Sequence, residues 1–89
     1  MFRLWAKIIV SGKMVKNMTI ENSDSYLNRT KKIFSAIDEV CYTYDLSKPI
    51  WLDKNINEFK KNSKTRFTKD NFVDDIDFDS LDIEVIEED

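Results

Sequence analysis

The side chains that most often carry out catalysis are scarce in this chain of 89 residues. It contains no histidine, one cysteine and one glycine. Without histidine it lacks the usual general base near neutral pH, the usual partner of a catalytic serine or cysteine, and the commonest metal ligand. A phosphate-binding loop needs several glycines, so Ser63-Lys64-Thr65 does not indicate a nucleotide site. We therefore expect a protein that is not an enzyme and that binds no cofactor.

Cys41 is the strongest candidate nucleophile. It falls in step with Ile37 and Tyr44 along an apolar stripe with helical spacing. That position predicts a small buried hydrophobic residue with an unreactive thiol. A lone cysteine also excludes an internal disulfide, and a small domain without disulfides is typical of a reducing compartment. We expect the protein to be cytoplasmic.

The acids near the end of the chain resemble the opening of a calcium-binding loop but depart from its pattern. In Asp75-Ile76-Asp77-Phe78-Asp79, acids occupy positions 1, 3 and 5 of such a loop. Position 6 is then Ser80, where glycine is needed, and position 12 is Ile86, where a bidentate glutamate is needed. Acid pairs such as Asp74-Asp75 would need a concave pocket for acid–base chemistry, which a single small core rarely provides. We expect neither a metal site nor a catalytic acid pair.

The beginning of the chain predicts a β-hairpin. Alternating apolar residues give the first strand one apolar face, formed by Phe2, Leu4, Ala6, Ile8 and Val10. After a break at Ser11-Gly12, the alternation continues with Met14, Met18 and Ile20, although Lys16 falls among them. Two alternating segments around a short glycine-containing break indicate a hairpin.

A long amphipathic helix is predicted over about residues 24–45, with capping side chains in Asn22-Ser23-Asp24. Arg29, Lys31 and Lys32 fall on its polar faces. Its apolar residues recur every three or four positions and are Leu27, Ile33, Phe34, Ile37, Val40, Cys41 and Tyr44. The helix is expected to pack across the hairpin, because each has an apolar face to bury.

The second half of the chain predicts shorter elements. Ile50-Trp51-Leu52 is a candidate edge strand, and Asp53 is a candidate cap for a short helix with Ile56 and Phe59 inward. Residues 63–72 are expected to be a loop. The final stretch predicts a half-buried strand through Leu81, Ile83 and Val85, entered by a change of face near Asp79-Ser80, and a loose end at residues 87–89.

These elements predict an α+β fold in one domain over residues 1–89. Its antiparallel sheet has three strands, or four with residues 50–52, in the order β-β-α-(β)-α-β. The long helix covers one face of the sheet, and the second helix is short. No stretch approaches the ~20 apolar residues of a membrane helix, so no membrane association is expected.

Charge is divided unevenly along the chain. Residues 1–69 hold all 14 bases and 7 of the 17 acids, a net charge of +7, while residues 70–89 hold the other 10 acids. The basic segment 54–69 carries aromatic residues, and its candidate binding surface is Trp51, Lys60, Lys61, Lys64, Arg66 and Phe67. The candidate acidic surface is Asp74, Asp75, Asp77, Asp79, Asp82 and Glu84.

Three hypotheses explain this division. The final strand's acids pair with bases such as Arg3 and Lys7 if it lies beside the first strand. Alternatively, segment 54–69 binds nucleic acid or phosphate, although a pI near 4.9 and the adjacent acids disfavour this. In the third hypothesis the acidic end binds a protein, by contacting a basic partner, by strand addition, or by mimicking nucleic acid.

Several runs of residues also resemble a group of short bacterial proteins with no assigned function. The runs are Phe2-Arg3-Leu4-Trp5-Ala6-Lys7, Lys48-Pro49-Ile50-Trp51-Leu52-Asp53, Glu58-Phe59-Lys60, Ser63-Lys64-Thr65-Arg66-Phe67, Ile76-Asp77-Phe78 and Val85-Ile86-Glu87-Glu88-Asp89. The resemblance spans nearly the whole chain and implies a complete bacterial protein. It transfers no catalytic or binding residue.

Together these observations predict a small, non-enzymatic interaction protein with a charge-divided surface. We expect its partner to be another protein or a second copy of the chain. Nucleic-acid binding and nucleic-acid mimicry are the alternatives.

Overall fold

Two strands from the first quarter of the chain and two from its last third form one antiparallel sheet in the computed structural model, which describes residues 1–88. The elements in chain order are β1 (Phe2–Val10), β2 (Lys13–Asn22), α1 (Arg29–Tyr44), α2 (Asp53–Asn62), β3 (Lys64–Phe67) and β4 (Ser80–Glu87). The strand order across the sheet is β2-β1-β4-β3. The α+β class, the antiparallel sheet, and the long and short helices are as predicted.

The β1–β2 hairpin turns at the predicted residues. Ser11 and Gly12 both have positive φ, 51° and 77°, as two-residue hairpin turns of type I′ require. The pairing shifts by one residue between Ile8 and Ile9, which leaves Val15 as an extra residue in β2. The shift places Met14 opposite Ile9 rather than on the core face, and Met14 is 48% exposed. Met14 therefore does not share the face of Met18 and Ile20, as the alternation in the sequence predicts.

The core lies between one face of the sheet and the two helices. Side chains of β1 and β4 form its floor, and α1 covers them with Ile33, Ala36, Ile37, Val40 and Cys41. Burial raises the pKa of the Cys41 thiol to about 11, with a smaller contribution from nearby Asp38. Cys41 is thus the buried residue that the helical stripe predicts.

Helix α1 begins five residues later than predicted, because the expected caps form local turns instead. Asn22 accepts a hydrogen bond from the backbone N–H of Asp24, and Asp24 accepts one from Tyr26, both at 2.8 Å. Such turns compete with helix formation. Asn28 is the actual cap, and its side chain accepts from Lys31 N–H at 2.9 Å.

The fourth strand lies at β3, not at residues 50–52, which have no regular structure. Within the segment predicted as a loop, Thr65 and Phe67 are buried while Lys64 and Arg66 are exposed, so the side chains alternate as in any half-buried strand. The observed order is therefore β-β-α-α-β-β. Asp53 is the first residue of α2 rather than its cap.

Two of the three residues predicted as a loose end, Glu87 and Glu88, contact the rest of the fold. Glu87 is the last residue of β4, and its carboxylate lies 3.1 Å from Arg3. Glu88 forms an ion pair with Arg29 at the start of α1. Asp89 lies outside the residues that the structure describes.

Replacing Asn28 distinguishes the two possible helix starts. Asn28→Ala removes the capping acceptor and should lower the free energy of unfolding by about 1 kcal/mol. Asp24→Ala, the matched control, should lower it by less than half as much, because Asp24 precedes the helix. Urea denaturation followed by circular dichroism measures both. A larger loss for Asp24→Ala would place the helix start at the predicted residues.

Burial of Cys41 predicts slow thiol chemistry. A thiol with a pKa near 11 rather than 9 has about 100-fold less thiolate at pH 8, so native Cys41 should react with Ellman's reagent at least that much more slowly than the unfolded chain. Because the folded-state pKa is raised, the contribution of Cys41 to stability is present below pH 9 and is lost as pH rises toward 11. Equal rates in buffer and in urea would contradict its burial.

Candidate functional site

The sheet face that the helices do not cover carries a balanced array of charges. We call it the open sheet face. It presents four bases, Arg3, Lys7, Lys64 and Arg66, and four acids, Glu21, Asp82, Glu84 and Glu87. Since strand pairing puts residues of opposite sign beside one another, these four positive and four negative charges cancel.

Specific ion pairs join β4 to both of its neighbours. Arg66 donates two hydrogen bonds of 2.9 Å to Asp82, which together raise the pKa of the arginine. Lys7 lies 3.9 Å from Glu84, and Arg3 contacts both Glu21 and Glu87 at 3.1 Å. The acids of the final strand therefore face bases of the first strand, as the first hypothesis expects. Exposed pairs of this kind contribute at most about 1 kcal/mol each.

The remaining acids of the candidate acidic surface lie elsewhere. Asp74, Asp75, Asp77 and Asp79 belong to the irregular segment before β4, and Asp79 accepts a hydrogen bond of 2.6 Å from Ser11 N–H. Within residues 1–88, no group of three or more acidic or cysteine side chains is arranged to hold a metal ion. Asp82 and Glu84 lie where β4 is paired with β1 on one side and with β3 on the other, so another strand could pair with this part of β4 only by displacing one of them.

A second surface lies between the helices. It is a groove of about 290 Å³ whose walls come from α1, α2 and the segment joining them. Five apolar residues line it, namely Ile33, Phe34, Trp51, Ile56 and Phe59. The other lining residues are Arg29, Lys60 and Thr30, so the groove has two bases and no acid. We call this the α1–α2 groove.

Trp51 connects the elements around the groove. Its ring meets Phe34 of α1, Phe59 of α2 and Phe67 of β3 edge-on, with ring centroids 5.9, 5.5 and 5.1 Å apart. Edge-to-face contacts of this kind stabilise a fixed ring orientation. Phe34 and Ile56 nevertheless keep 48% and 38% of their surface exposed. The groove is therefore rigid at its base and open to solvent at its rim.

Two buried asparagines hold the segment that carries Trp51. Asn71 donates to the carbonyl of Ile50 at 2.8 Å, and the Ile50 N–H donates back to the Asn71 carbonyl. Asn71 also donates to Asn55, whose side chain accepts from Leu52 N–H and donates to Thr65. Both asparagines are fully buried, so each of these hydrogen bonds replaces one that the side chain makes to water in the unfolded chain. This network holds residues 50–52 in place without pairing them in the sheet, and the backbone of Leu52 is extended.

The structure divides the candidate binding surface between three places. Trp51 and Lys60 line the groove, and Lys61 is exposed beside them on α2. Lys64 and Arg66 lie on the open sheet face. Phe67 is completely buried, so it offers no ring face for stacking on a base.

Six groove residues are not among the binding residues predicted from the sequence, namely Arg29, Thr30, Ile33, Phe34, Ile56 and Phe59. Phe34 and Ile56 are predicted inward and Arg29 is assigned to a polar face, whereas all three line the groove. Phe34 directly follows buried Ile33 and so lies about 100° round the helix, at the margin of the apolar stripe. This position at the edge of the apolar stripe is the sequence feature that could have identified Phe34 as a groove residue. Lys32, by contrast, is buried, with 7% of its surface exposed.

Comparisons of the chain with protein-family models, with curated proteins and with solved structures found no match. Across residues 1–88, neither helix is long and apolar enough to cross a membrane.

Replacing Asn71 tests whether the buried network positions Trp51. In a Trp5→Phe background, where emission comes from Trp51 alone, Asn71→Ala should shift that emission to longer wavelength and lower the free energy of unfolding by about 2–3 kcal/mol. Asn57→Ala, on the exposed side of α2, should change stability by less than about 0.5 kcal/mol. Unchanged Trp51 emission in the Asn71 variant would show that aromatic packing alone holds the ring.

Proposed function

We propose that this protein is a non-enzymatic interaction domain that binds another protein through the α1–α2 groove. The observation that carries the proposal is the exposure of Phe34 and Ile56 beside a rigid tryptophan. Buried aromatic anchors surrounded by polar rims are typical of protein interfaces. We also propose that the protein is cytoplasmic, as its composition predicts.

The α1–α2 groove differs from the other large depression of the surface, and this difference supports the groove as the binding site. A depression of about 360 Å³ next to β3 is larger than the groove, but its lining includes three bases and three acids. Arg66 there is already bonded to Asp82, so the depression presents few unsatisfied charges. The groove combines an apolar floor with two lining bases, Lys60 and Arg29, the second of which is paired with Glu88. Of these two surfaces, the groove gains more free energy when a partner covers its apolar side chains.

Nucleic-acid binding through residues 54–69 has less support. Binding a phosphate backbone requires a continuous row of bases. Lys60 and Lys61 lie on α2, whereas Arg66 is held by Asp82 on the opposite face of the sheet. Nucleic-acid mimicry needs an unopposed acidic surface, and Asp82 and Glu84 are both paired with bases.

Truncating a groove side chain tests the proposal. Phe34→Ala should reduce the amount of a specific partner recovered from cell lysate by about tenfold or more, because it removes a central apolar anchor. Tyr42→Ala is the matched control, since Tyr42 is an aromatic residue of the same helix that is 89% exposed and outside the groove. Captures at low and high salt, with quantitative mass spectrometry, compare the variants.

The proposal requires a partner whose recovery depends on Phe34 and not on Tyr42. If every captured protein were recovered equally by both variants, the α1–α2 groove would not be the binding site. Circular dichroism and urea denaturation would confirm that Phe34→Ala remains folded, which is expected because Phe34 is half exposed.

A further inference from the structure

Arg29 lies at one end of the α1–α2 groove, where it contacts Phe59, Ser63 and Glu88. Its guanidinium lies 5.4 Å from the centre of the Phe59 ring, and its Nη2 donates to Ser63 Oγ at 3.0 Å. Its Nε binds the carboxylate of Glu88 from the end of the same chain. Stacking and the serine contact restrict the side chain, so an incoming carboxylate meets a pre-oriented donor.

Glu88 shows which chemistry this end of the groove accepts. Glu88 is the residue after β4, and its carboxylate contacts Arg29, the first residue of α1. Both side chains remain about 40% exposed, at 43% for Arg29 and 41% for Glu88. An ion pair this exposed is weak, so another carboxylate can replace it at small cost.

We propose that the α1–α2 groove binds an acidic, apolar segment of a partner protein, and that Glu88 is an internal competitor for its carboxylate. This rests on the function proposed above. One or two large apolar side chains of the segment fill the groove between Phe34 and Ile56. A neighbouring Asp or Glu displaces Glu88 from Arg29, and a second acid pairs with Lys60.

The size and charge of the groove favour this occupant. Its volume of about 290 Å³ is at the lower end of ligand pockets, which suits a few side chains better than a cofactor. Its lining residues include Arg29 and Lys60 and no acid, and the carboxylate of Glu88 already occupies Arg29, so this end of the groove is complementary to negative charge. A peptide helix that places apolar side chains in a groove, with charged residues beside them, is a common mode of recognition for a groove that is apolar at its floor and charged at its rim.

A peptide library of unbiased composition, selected on the immobilised full-length chain, tests the inference. Enriched peptides should contain one or two large apolar residues flanked by acids. Measured by fluorescence anisotropy, Arg29→Gln and Lys60→Gln should each weaken their binding about three- to tenfold, and Phe34→Ala should weaken it more. Glu88→Gln should strengthen it about two- to fivefold, because the competitor is removed.

Lys54→Gln is the matched control, since Lys54 is a base of α2 that does not line the groove, and it should leave binding unchanged. Phe34-dependent peptides that are neutral or basic would overturn this inference while the groove remained a binding site. Peptides that bind independently of Phe34 and Ile56 would overturn the proposed function as well. Self-association lost in Phe34→Ala, measured by sedimentation, would assign the groove to a second copy and overturn the partner proposed here.

Discussion

The insertion of β4 between β1 and β3 is the contact on which the rest of the molecule depends. It joins the two ends of the chain, and Leu81 and Ile83 complete the core floor that the helices cover. The same register places Asp82 and Glu84 beside bases of the neighbouring strands. It also carries Glu88 to the start of α1. Loop closure over nearly the whole sequence costs entropy, and the apolar burial of this strand offsets it.

Once β4 is in place, the two faces of the sheet acquire different properties. On the open sheet face every acid has a base nearby, so the uneven distribution of charge along the chain becomes a neutral surface in the fold. On the other face the helices are bridged by Trp51 and stay apart at their rims. The α1–α2 groove has two bases among its lining residues, and one of them, Arg29, is paired with Glu88.

Short-range patterns account for what the sequence predicts correctly. The hairpin at Ser11-Gly12 follows from alternation and a residue that tolerates positive φ. The apolar stripe of α1 and the burial of Cys41 follow from helical periodicity. Errors arise where two local options compete. Asn22 and Asp24 can cap a helix or form turns, and β3 is only four residues long, too short for a clear alternating signal.

The sequence by itself determined the α+β class, the antiparallel sheet, the long and short helices, and the shortage of catalytic side chains, because these depend on composition and on periods of two and about 3.6 residues. Only the tertiary structure decided where the fourth strand lies, which side chains form the groove, and what the terminal acids contact. The physical reason is that these features depend on residues far apart in sequence. Arg29 meets Glu88, and Trp51 meets Phe34 and Phe67, only after the sheet has closed.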